Sequence, residues 1–291
     1  MPGSTPIDAE AAVALLAEGT GEPYRLVRRM AGGETGAHQV IGPEARMLVL
    51  KWDAAPHSQE LRGEAVVLAE RLRLQAGWPV PRQAVVDTLG VRFVLQEFMP
   101  GRPVDRLSHQ IVGRLLDYHA RRIDLARVDD PVRWPSALIR TLTEGGENYC
   151  LHSSLRDYDR RTRSLVSRIE AFAGAVHLSK LTGRDIVHWD LHPGNLLADD
   201  GGLTAIVDTD FVLIGDARFD LVTLALTSLT ARCEPGVRSR LSAVAFEGLD
   251  QLRQQTYLAH LFIRLLDWSI RGRRSEEVDF WLARADEMLS V

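Results

Sequence analysis

The order of apolar and polar residues predicts strands in the first third of the chain and helices in most of the remainder. Residues 7–18 carry apolar side chains at helical spacing and stop at Gly19, which predicts a short opening helix. A second helix is predicted at 57–75 by the same spacing. Strand-like apolar runs bounded by Gly, Pro and polar residues occupy 24–30, 37–41, 47–50, 84–87 and 91–98.

Helical spacing dominates after Val104, with two interruptions. One is the Pro-, Gly- and charge-rich stretch 128–162, whose structure the pattern does not predict and which could be an insertion that contacts substrate. The predicted helices are 111–120, 165–182, 220–231, 237–256, 257–271 and 276–289. Between the second and third of them, the apolar runs 185–187 and 196–198 flank a polar turn, and the run 203–207 follows after a Gly-rich turn. We expect the flanking runs to be short buried strands with the polar turn at a hairpin tip, and the third run to end beside it.

Three polar side chains stand on these turns: Asp190, Asn195 and Asp208. Phosphoryl transfer needs a carboxylate that accepts a hydroxyl proton and hard oxygen ligands that hold Mg²⁺ against a triphosphate. Asp190 suits the first task, and Asn195 with Asp208 suits the second. The alternative is that Asp and Asn next to Gly only form turns, but turn formation does not require an aspartate at the end of the following strand.

The segment His188-Trp189-Asp190-Leu191-His192-Pro193-Gly194-Asn195 has the His-x-Asp-x-x-x-x-Asn spacing of a kinase catalytic loop. It resembles more closely the aminoglycoside phosphotransferase (antibiotic kinase) family, in which Gly usually stands at the position of Trp189. Thr209-Asp210 also departs from the family, whose members often have Trp-Glu or a similar pair there. Neither change removes a group that phosphoryl transfer needs.

Lys51 is singled out by composition, because only two of the 35 basic residues are lysines. A compact ammonium contacts phosphate oxygens as a point charge, whereas a guanidinium presents a planar fork. The resemblance implies that Lys51 binds the α- and β-phosphates of the nucleotide and pairs with a glutamate of the next helix. The alternative is a surface lysine at a strand edge.

Glu64 is the predicted partner of Lys51, and Glu60, one turn earlier, is the competing candidate. Helical offsets from Glu64 to the apolar residues of the same helix put it near the inner face. The same offsets put Arg62, Arg71 and Arg73 on the outer face. The run that starts at Glu64 also looks like the corresponding helix of the family.

Two further nucleotide contacts are suggested. A Gly-rich turn containing Gly33 and Gly36 could lay backbone N–H groups over phosphates, although such turns are often only turns. The segment 93–101 resembles the family's hinge, which implies that the carbonyl of Glu97 and the amide of Met99 contact the adenine ring. The alternative there is an edge strand followed by a Pro-Gly turn.

The resemblance covers nearly the whole chain in the right order, and it includes Gly215–Leu221, where Asp220 is expected to bind nearby backbone amides. It implies an α+β, bilobal, protein-kinase-like fold. We expect a small N-terminal lobe at 1–98, made of an antiparallel sheet with one helix, that binds nucleotide. A larger, mainly helical lobe at 99–291 would carry catalysis and bind the acceptor.

Charge and composition narrow the class of protein. A net charge of −4 argues against a nucleic-acid or membrane-surface binder. The two cysteines, Cys150 and Cys233, have no metal spacing and indicate reduced thiols in a cytoplasmic protein. The N-terminus lacks a signal-peptide pattern, and the apolar stretch 257–270 is interrupted by charges. We expect a monomer or weak dimer.

The sequence therefore predicts an ATP- or GTP-dependent kinase that uses Mg²⁺ and phosphorylates a hydroxyl of a small molecule. By resemblance the acceptor is an antibiotic: an aminoglycoside, a cationic peptide or a macrolide. The alternatives are a kinase for an amino alcohol or sugar, and a catalytically silent nucleotide-binding regulator. A cationic acceptor could meet acidic residues on the late helices, unless these are only solvated helix faces; those residues are Asp210, Asp250, Asp267, Glu276, Glu277 and Asp279.

Overall fold

The computed structural model describes residues 7–30, 36–53, 56–145, 150–200 and 202–290, without the side chains of 56–58. Helices and antiparallel strands both occur in these residues, which confirms the α+β class. The strands are β1 (Arg25–Arg29), β2 (His38–Ile41), β3 (Met47–Asp53), β4 (Gln83–Thr88), β5 (Val91–Glu97), β6 (Arg102–Pro103), β7 (Arg106–Leu107), β8 (Asp185–Val187), β9 (Leu196–Asp199), β10 (Gly202–Ile206), β11 (Leu213–Gly215) and β12 (Arg232–Cys233).

The helices alternate with these strands at first and dominate the second half of the chain. No helix among the described residues is long and apolar enough to cross a lipid bilayer. The helices are α1 (Ala9–Thr20), α2 (Pro56–Gln75), α3 (His109–Arg121), α4 (Trp134–Thr143), α5 (His152–Tyr158), α6 (Arg160–Gly174), α7 (Arg218–Thr227), α8 (Val237–Phe246), α9 (Gln251–Arg271) and α10 (Ser275–Met288).

The chain divides into two compact units, one of Met1–Arg122 with His192–Val212 and the other of Ile123–Leu191 with Leu213–Val291. The polar loop at 188–195 is therefore divided: residues 188–191 belong to the second unit and residues 192–195 to the first. The division into a nucleotide-binding lobe at 1–98 and an acceptor-binding lobe at 99–291 stays a prediction.

A five-stranded antiparallel sheet in the order β1-β2-β3-β5-β4 is the main element of the first unit. Side chains alternate between the two faces of such a sheet. On one face Val40, Leu50 and Phe93 pack in a core with Leu16 and other apolar residues of α1. Lys51, one residue away from Leu50, consequently lies on the opposite face.

A smaller sheet, β10-β9-β6, completes the first unit. Its hairpin β9–β10 matches the predicted turn between 196–198 and 203–207. The N–H of Ile206 donates to the carbonyl of Pro79 at 2.9 Å, which ties the end of β10 to the chain that follows α2. Residues 207–210 therefore leave β10 from a fixed position.

The second unit is mainly helical and contains the short antiparallel pair β8–β11. The pairing Ile186↔Ile214 shows that 185–187 pairs with 213–215 rather than with 196–198. The expected hairpin around the polar turn is therefore wrong: its flanking strands belong to two different sheets. Three-residue strands cannot specify a partner by their own sequence, because their apolar pattern fits either neighbour.

Helix boundaries differ most from the prediction at two places. The predicted helix 165–182 is α6, which begins at Arg160 behind an Asp159 capping box and ends at Gly174. The predicted break at 256/257 lies inside α9, and the real break is at 247–250. There Gly248 has φ +67 and the side chain of Asp250 accepts the N–H of Arg253 as the N-cap of α9.

Candidate active site

Lys51 lies at the centre of a buried charge network in the first unit. Its Nζ donates to Oδ1 of Asp208 at 2.8 Å and to Oδ2 of Asp210 at 2.9 Å. Arg62 on α2 donates to the same oxygen of Asp210 at 2.9 Å and to Asp53 at 3.0 Å. Asp208 and Asp210 follow β10, so the ammonium group of Lys51 binds a segment that begins 157 residues later in the sequence, and α2 joins this segment through Arg62.

The charges in this network keep one another ionised. Burial alone would raise the pKa of Asp210, but the cations of Lys51 and Arg62 hold it below its usual value. Burial alone would lower the pKa of Lys51, and Asp210 with Asp208 raises it instead. At neutral pH the site therefore presents a fixed ammonium beside carboxylate oxygens, which is a suitable arrangement for a phosphate chain and a hard cation.

Asn195 is held next to Asp208 by the backbone. It ends a short 3₁₀ turn, Pro193–Asn195, and its carbonyl accepts the N–H of Val207 at 2.9 Å. Asp208 itself has φ +62, a left-handed conformation that turns the chain directly after Val207.

The amide oxygen of Asn195 and the carboxylate of Asp208 are oxygen donors of the type that Mg²⁺ prefers. In the described part of the chain no group of three His, Cys, Asp or Glu residues is placed to hold a metal. A two-residue oxygen set that leaves positions for water and phosphate is how Mg²⁺ is usually bound with nucleotides. The donors therefore fit the expected ion.

Asp190 lies in the second unit, on a loop whose backbone is fixed from two sides. Asp220, which is fully buried, accepts the N–H of His188 at 2.7 Å and that of Trp189 at 2.9 Å. Arg264 on α9 donates to the carbonyl of Trp189 at 3.0 Å and to Oδ1 of Asp190 at 2.6 Å. The expected binding of Asp220 to nearby amides is thus observed, and the amides are those that precede Asp190.

Trp189 adopts φ +75, a left-handed conformation that favours glycine and costs other residues about 1–2 kcal/mol. Its indole is 4% exposed and packs at ring-centroid distances of 5.4 Å from Trp134, 5.3 Å from Phe219 and 4.8 Å from His260. Aromatic burial of this extent stabilises by more than the backbone strain costs. The packing explains how a tryptophan is tolerated in a backbone conformation that favours glycine.

His260 is the polar member of this aromatic cluster. It is fully buried, and neither of its ring nitrogens has a hydrogen-bond partner among the described residues. Burial lowers its pKa well below the usual value, and the nearby charge of Arg264 lowers it further, against an opposing effect of Asp190. The imidazole is therefore neutral at physiological pH.

The structure brings Lys51, Asn195 and Asp208 together in the first unit and places Asp190 in the second. Glu97 ends β5, and the next N–H, of Phe98, donates to the carbonyl of Met47 at 3.3 Å. The predicted adenine contacts of Glu97 and Met99 stay predictions. So does the predicted phosphate contact of Gly36, which has φ +71, whereas Gly33 lies outside the described residues.

Glu64 lies on α2, but the hydrogen bonds that Lys51 makes among the described residues go to Asp208 and Asp210. Its pairing with Lys51 therefore stays a prediction. The expectation that Arg62 faces outward is wrong, because its side chain is 11% exposed and reaches Asp210. Arg71, at 5% exposure, is buried too.

Sequence reasoning missed the roles of Arg62 and Arg264 and left Asp210 open. The sequence offers a weak signal for Asp210, which stands two residues after the predicted metal ligand Asp208. The chain has only two lysines, so an acid near the proposed site of Lys51 could be noticed as its partner. No comparable local signal marks Arg264, one of many arginines in the late helices.

The chain resembles known proteins through a family sequence model and through its fold. A sequence model described as the phosphotransferase enzyme family matches residues 26–254. No curated protein matches the chain in sequence. Among solved structures, aminoglycoside phosphotransferase APH(4)-Ia is similar with a TM-score of 0.64 and 14% identity, over 97% of this chain and 98% of the other.

Two other solved structures show the same fold. Aminoglycoside phosphotransferase APH(3'')-Id from Streptomyces rimosus has a TM-score of 0.59 and 20% identity, over 88% of this chain and 98% of its own. A candidate fructosamine-3-kinase from Haemophilus somnus has a TM-score of 0.58 and 15% identity, over 96% of this chain and 96% of its own. At these identities the likeness concerns the fold, and it confirms the expected kinase-like architecture.

Proposed function

Because the chain belongs to the phosphotransferase enzyme family, we propose that it transfers the γ-phosphoryl group of ATP or GTP to a hydroxyl of a small-molecule antibiotic. Such a reaction would give antibiotic resistance. The observation that carries the proposal is the Lys51–Asp208 ion pair of 2.8 Å. It places a cation suited to phosphate directly beside a carboxylate suited to the metal that accompanies phosphate.

The roles of the individual residues follow from their chemistry. Lys51 contacts phosphate oxygens, Asn195 and Asp208 hold Mg²⁺, and Asp190 accepts the proton of the acceptor hydroxyl. Bound Mg²⁺ supplies charge neutralisation of the phosphates. Gly33 and Gly36 bind phosphates through their amides, and Glu97 with Met99 binds the purine.

A solved structure of similar fold supports the proposal that one protein binds both a nucleotide and an acceptor. A thermostable mutant of APH(4)-Ia, with a TM-score of 0.60, has been solved as a ternary complex with ADP and hygromycin B. That protein binds a nucleotide and an aminoglycoside together, and we propose the same two classes of ligand for this chain. The reduced thiols Cys150 and Cys233 support a cytoplasmic location, where both nucleotides are available. We propose a monomer or weak dimer.

The chemical class of the acceptor has the least support from the structure. Five of the six acids that were expected to attract a cationic acceptor are paired with arginine: Asp210 with Arg62, Asp250 with Arg253, Asp267 with Arg271, Glu277 with Arg274 and Asp279 with Arg161. Paired carboxylates attract a polycation more weakly than unpaired ones do. This observation favours, as a second candidate function, phosphorylation of a less cationic metabolite such as a sugar or amino alcohol.

A turnover assay tests the proposal. The protein is incubated with Mg²⁺ and either ATP or GTP, and nucleoside diphosphate is measured over a panel of an aminoglycoside, a cationic peptide, a macrolide, sugars and amino alcohols. Acceptor-dependent turnover that a chelator abolishes supports the proposal, and the preferred acceptor decides between the two candidates. Nucleotide binding without turnover on any acceptor would point to a silent regulatory protein instead.

A further inference from the structure

Asp210 was expected to meet a cationic acceptor, but it is buried and bound to Lys51 and Arg62. We propose that Asp210, held in place by Arg62, positions Lys51 for nucleotide binding, the task that the family resemblance gives to Glu64. The inference rests on the proposed kinase function, because it concerns the same lysine. It adds a positioning residue that does not itself touch the nucleotide.

Lys51 has enough N–H donors to bind both aspartates and a phosphate at the same time. An ammonium has three N–H groups, and two of them are directed at Oδ1 of Asp208 and Oδ2 of Asp210. Asp208 is also the proposed metal ligand, so its oxygens are shared with another partner when nucleotide is bound. Asp210 can keep its hydrogen bond to Lys51 throughout, and the third N–H remains for a phosphate oxygen.

The side chain of Asp210 is itself held in place. Its side chain is 5% exposed, and Arg62 donates to it at 2.9 Å. The same guanidinium donates to Asp53, which lies two residues after Lys51 on the same face of β3. Arg62 therefore links α2 to both the strand that carries Lys51 and the acid that holds it.

The backbone around Asp210 is anchored independently of the Asp210 carboxylate. Thr209, between the two aspartates, accepts a hydrogen bond of 2.5 Å from Gln83 on β4, and Ile206 is tied to Pro79. The segment after β10 is therefore anchored without the carboxylate of Asp210. Removing the charge of Asp210 should change what holds Lys51 while the backbone stays in place.

The experiment measures nucleotide affinity and kinetics for Asp210→Asn. The matched control is Asp87→Asn, the same chemical change at an aspartate of the same unit that also pairs with an arginine, Arg92, but has a 56% exposed side chain. We expect Asp210→Asn to raise the Kd and KM for the Mg²⁺-nucleotide about tenfold, the effect of one lost charged hydrogen bond. The KM for the acceptor should stay unchanged, and Asp87→Asn should resemble the wild type.

A double-mutant cycle with Lys51→Ala tests whether Asp210 acts through Lys51. In the Lys51→Ala background, Asp210→Asn should raise the Kd no further. If Asp210→Asn does not fold, Arg62→Gln, which leaves the Lys51–Asp210 pair in place, takes its role in the cycle. It should raise the Kd about threefold, the smaller effect expected when only the support of Asp210 is lost.

Three outcomes would overturn the inference. The first is an Asp210→Asn enzyme with unchanged nucleotide Kd and KM. The second is an equal effect of Asp210→Asn with and without Lys51. The third is a Glu64→Gln variant that loses more nucleotide affinity than Asp210→Asn does. A wild-type protein that binds neither ATP nor GTP would instead refute the proposed function, so the two failures are distinguishable.

Discussion

Arg264 holds Asp190 through both its side chain and the carbonyl that precedes it, at 2.6 and 3.0 Å. One guanidinium thus fixes the orientation of the proposed base relative to its own backbone. Because the carboxylate of Asp190 is only 26% exposed, an ion pair this short restricts its rotation.

Asp190→Ala should abolish phosphoryl transfer and leave the affinity for nucleotide within about twofold of the wild type, because Asp190 is proposed as a base and not as a ligand. Asp208→Ala is the informative comparison. It should weaken binding of the Mg²⁺-nucleotide as well, since Asp208 is a proposed metal ligand. Isothermal titration with a non-hydrolysable nucleotide and turnover assays measure the two effects. Near-normal turnover of Asp190→Ala would show that another group is the base.

Arg264→Gln should lower kcat about tenfold, because the base loses the ion pair that fixes its orientation. The KM for nucleotide should stay within about twofold, since Arg264 lies in the unit that lacks Lys51 and Asp208. Arg253→Gln is a suitable control, as Arg253 on the same helix pairs with Asp216 and Asp250 instead. An Arg264→Gln enzyme with unchanged kcat would limit Arg264 to a structural role.

Lys51→Arg keeps the positive charge but replaces a compact ammonium by a planar fork between Asp208 and Asp210. We expect kcat/KM for the nucleotide to fall about a hundredfold. The melting temperature should change by only a few degrees, because both carboxylates keep a cationic partner. Steady-state kinetics and thermal denaturation measure the two quantities. Unchanged nucleotide kinetics would mean that Lys51 does not contact the phosphates.

His260 should make the protein less stable in mild acid. Its folded-state pKa lies well below 6.5, so below pH 6.5 the unfolded chain binds a proton that the folded protein does not. As the pH is lowered, the free energy of unfolding therefore falls by up to about 1.4 kcal/mol per pH unit. This loss continues until the pH reaches the pKa of His260 in the folded protein.

His260→Phe should remove this component of the pH dependence, because a phenyl ring fits among the aromatic neighbours and cannot be protonated. Urea denaturation at pH 8, 7, 6 and 5.5 measures it. His177→Gln, at an exposed histidine, should leave the pH dependence as it is in the wild type. Parallel stability curves for the wild type and His260→Phe would contradict the prediction.

The KM for the acceptor should depend on salt only if unpaired acids attract it. Since most acids of the late helices have arginine partners, we expect a rise in KM of less than about threefold between 50 and 500 mM salt for a polycationic antibiotic. A neutral hydroxylated acceptor should show none. A much steeper rise for the polycation alone would restore the proposed attraction by acidic residues.

The sequence predicts an element well where apolar spacing and a turn signal occur together. The hairpin β9–β10, the sheet around Lys51 and the opening helix follow from apolar spacing and Gly-rich turns. The break before α9 was also present in the sequence, as Gly248 and Asp250, but the apolar residues on both sides suggested one continuous helix. Helix-ending and helix-capping residues therefore carry more weight than periodicity at such a position.

The partners of the site residues could not be predicted in the same way. Helical spacing assigns Arg62 to the outer face of α2, yet its guanidinium reaches Asp210, which is 148 residues away in sequence. The pairing of Arg264 with Asp190 depends likewise on how α9 folds back, 74 residues later. Long side chains find charged partners through tertiary packing, and a local pattern holds no information about that.

The contact of Trp189 with Trp134 gives the protein an optical property. Two buried indoles 5.4 Å apart, at an interplanar angle of 84°, couple their electronic transitions in a fixed chiral geometry. Such coupling gives a near-ultraviolet circular dichroism signal that disappears when side-chain packing loosens. Because Trp189 directly precedes Asp190, that signal reports on the order of the loop that carries the proposed base, in a sample without nucleotide, acceptor or added label.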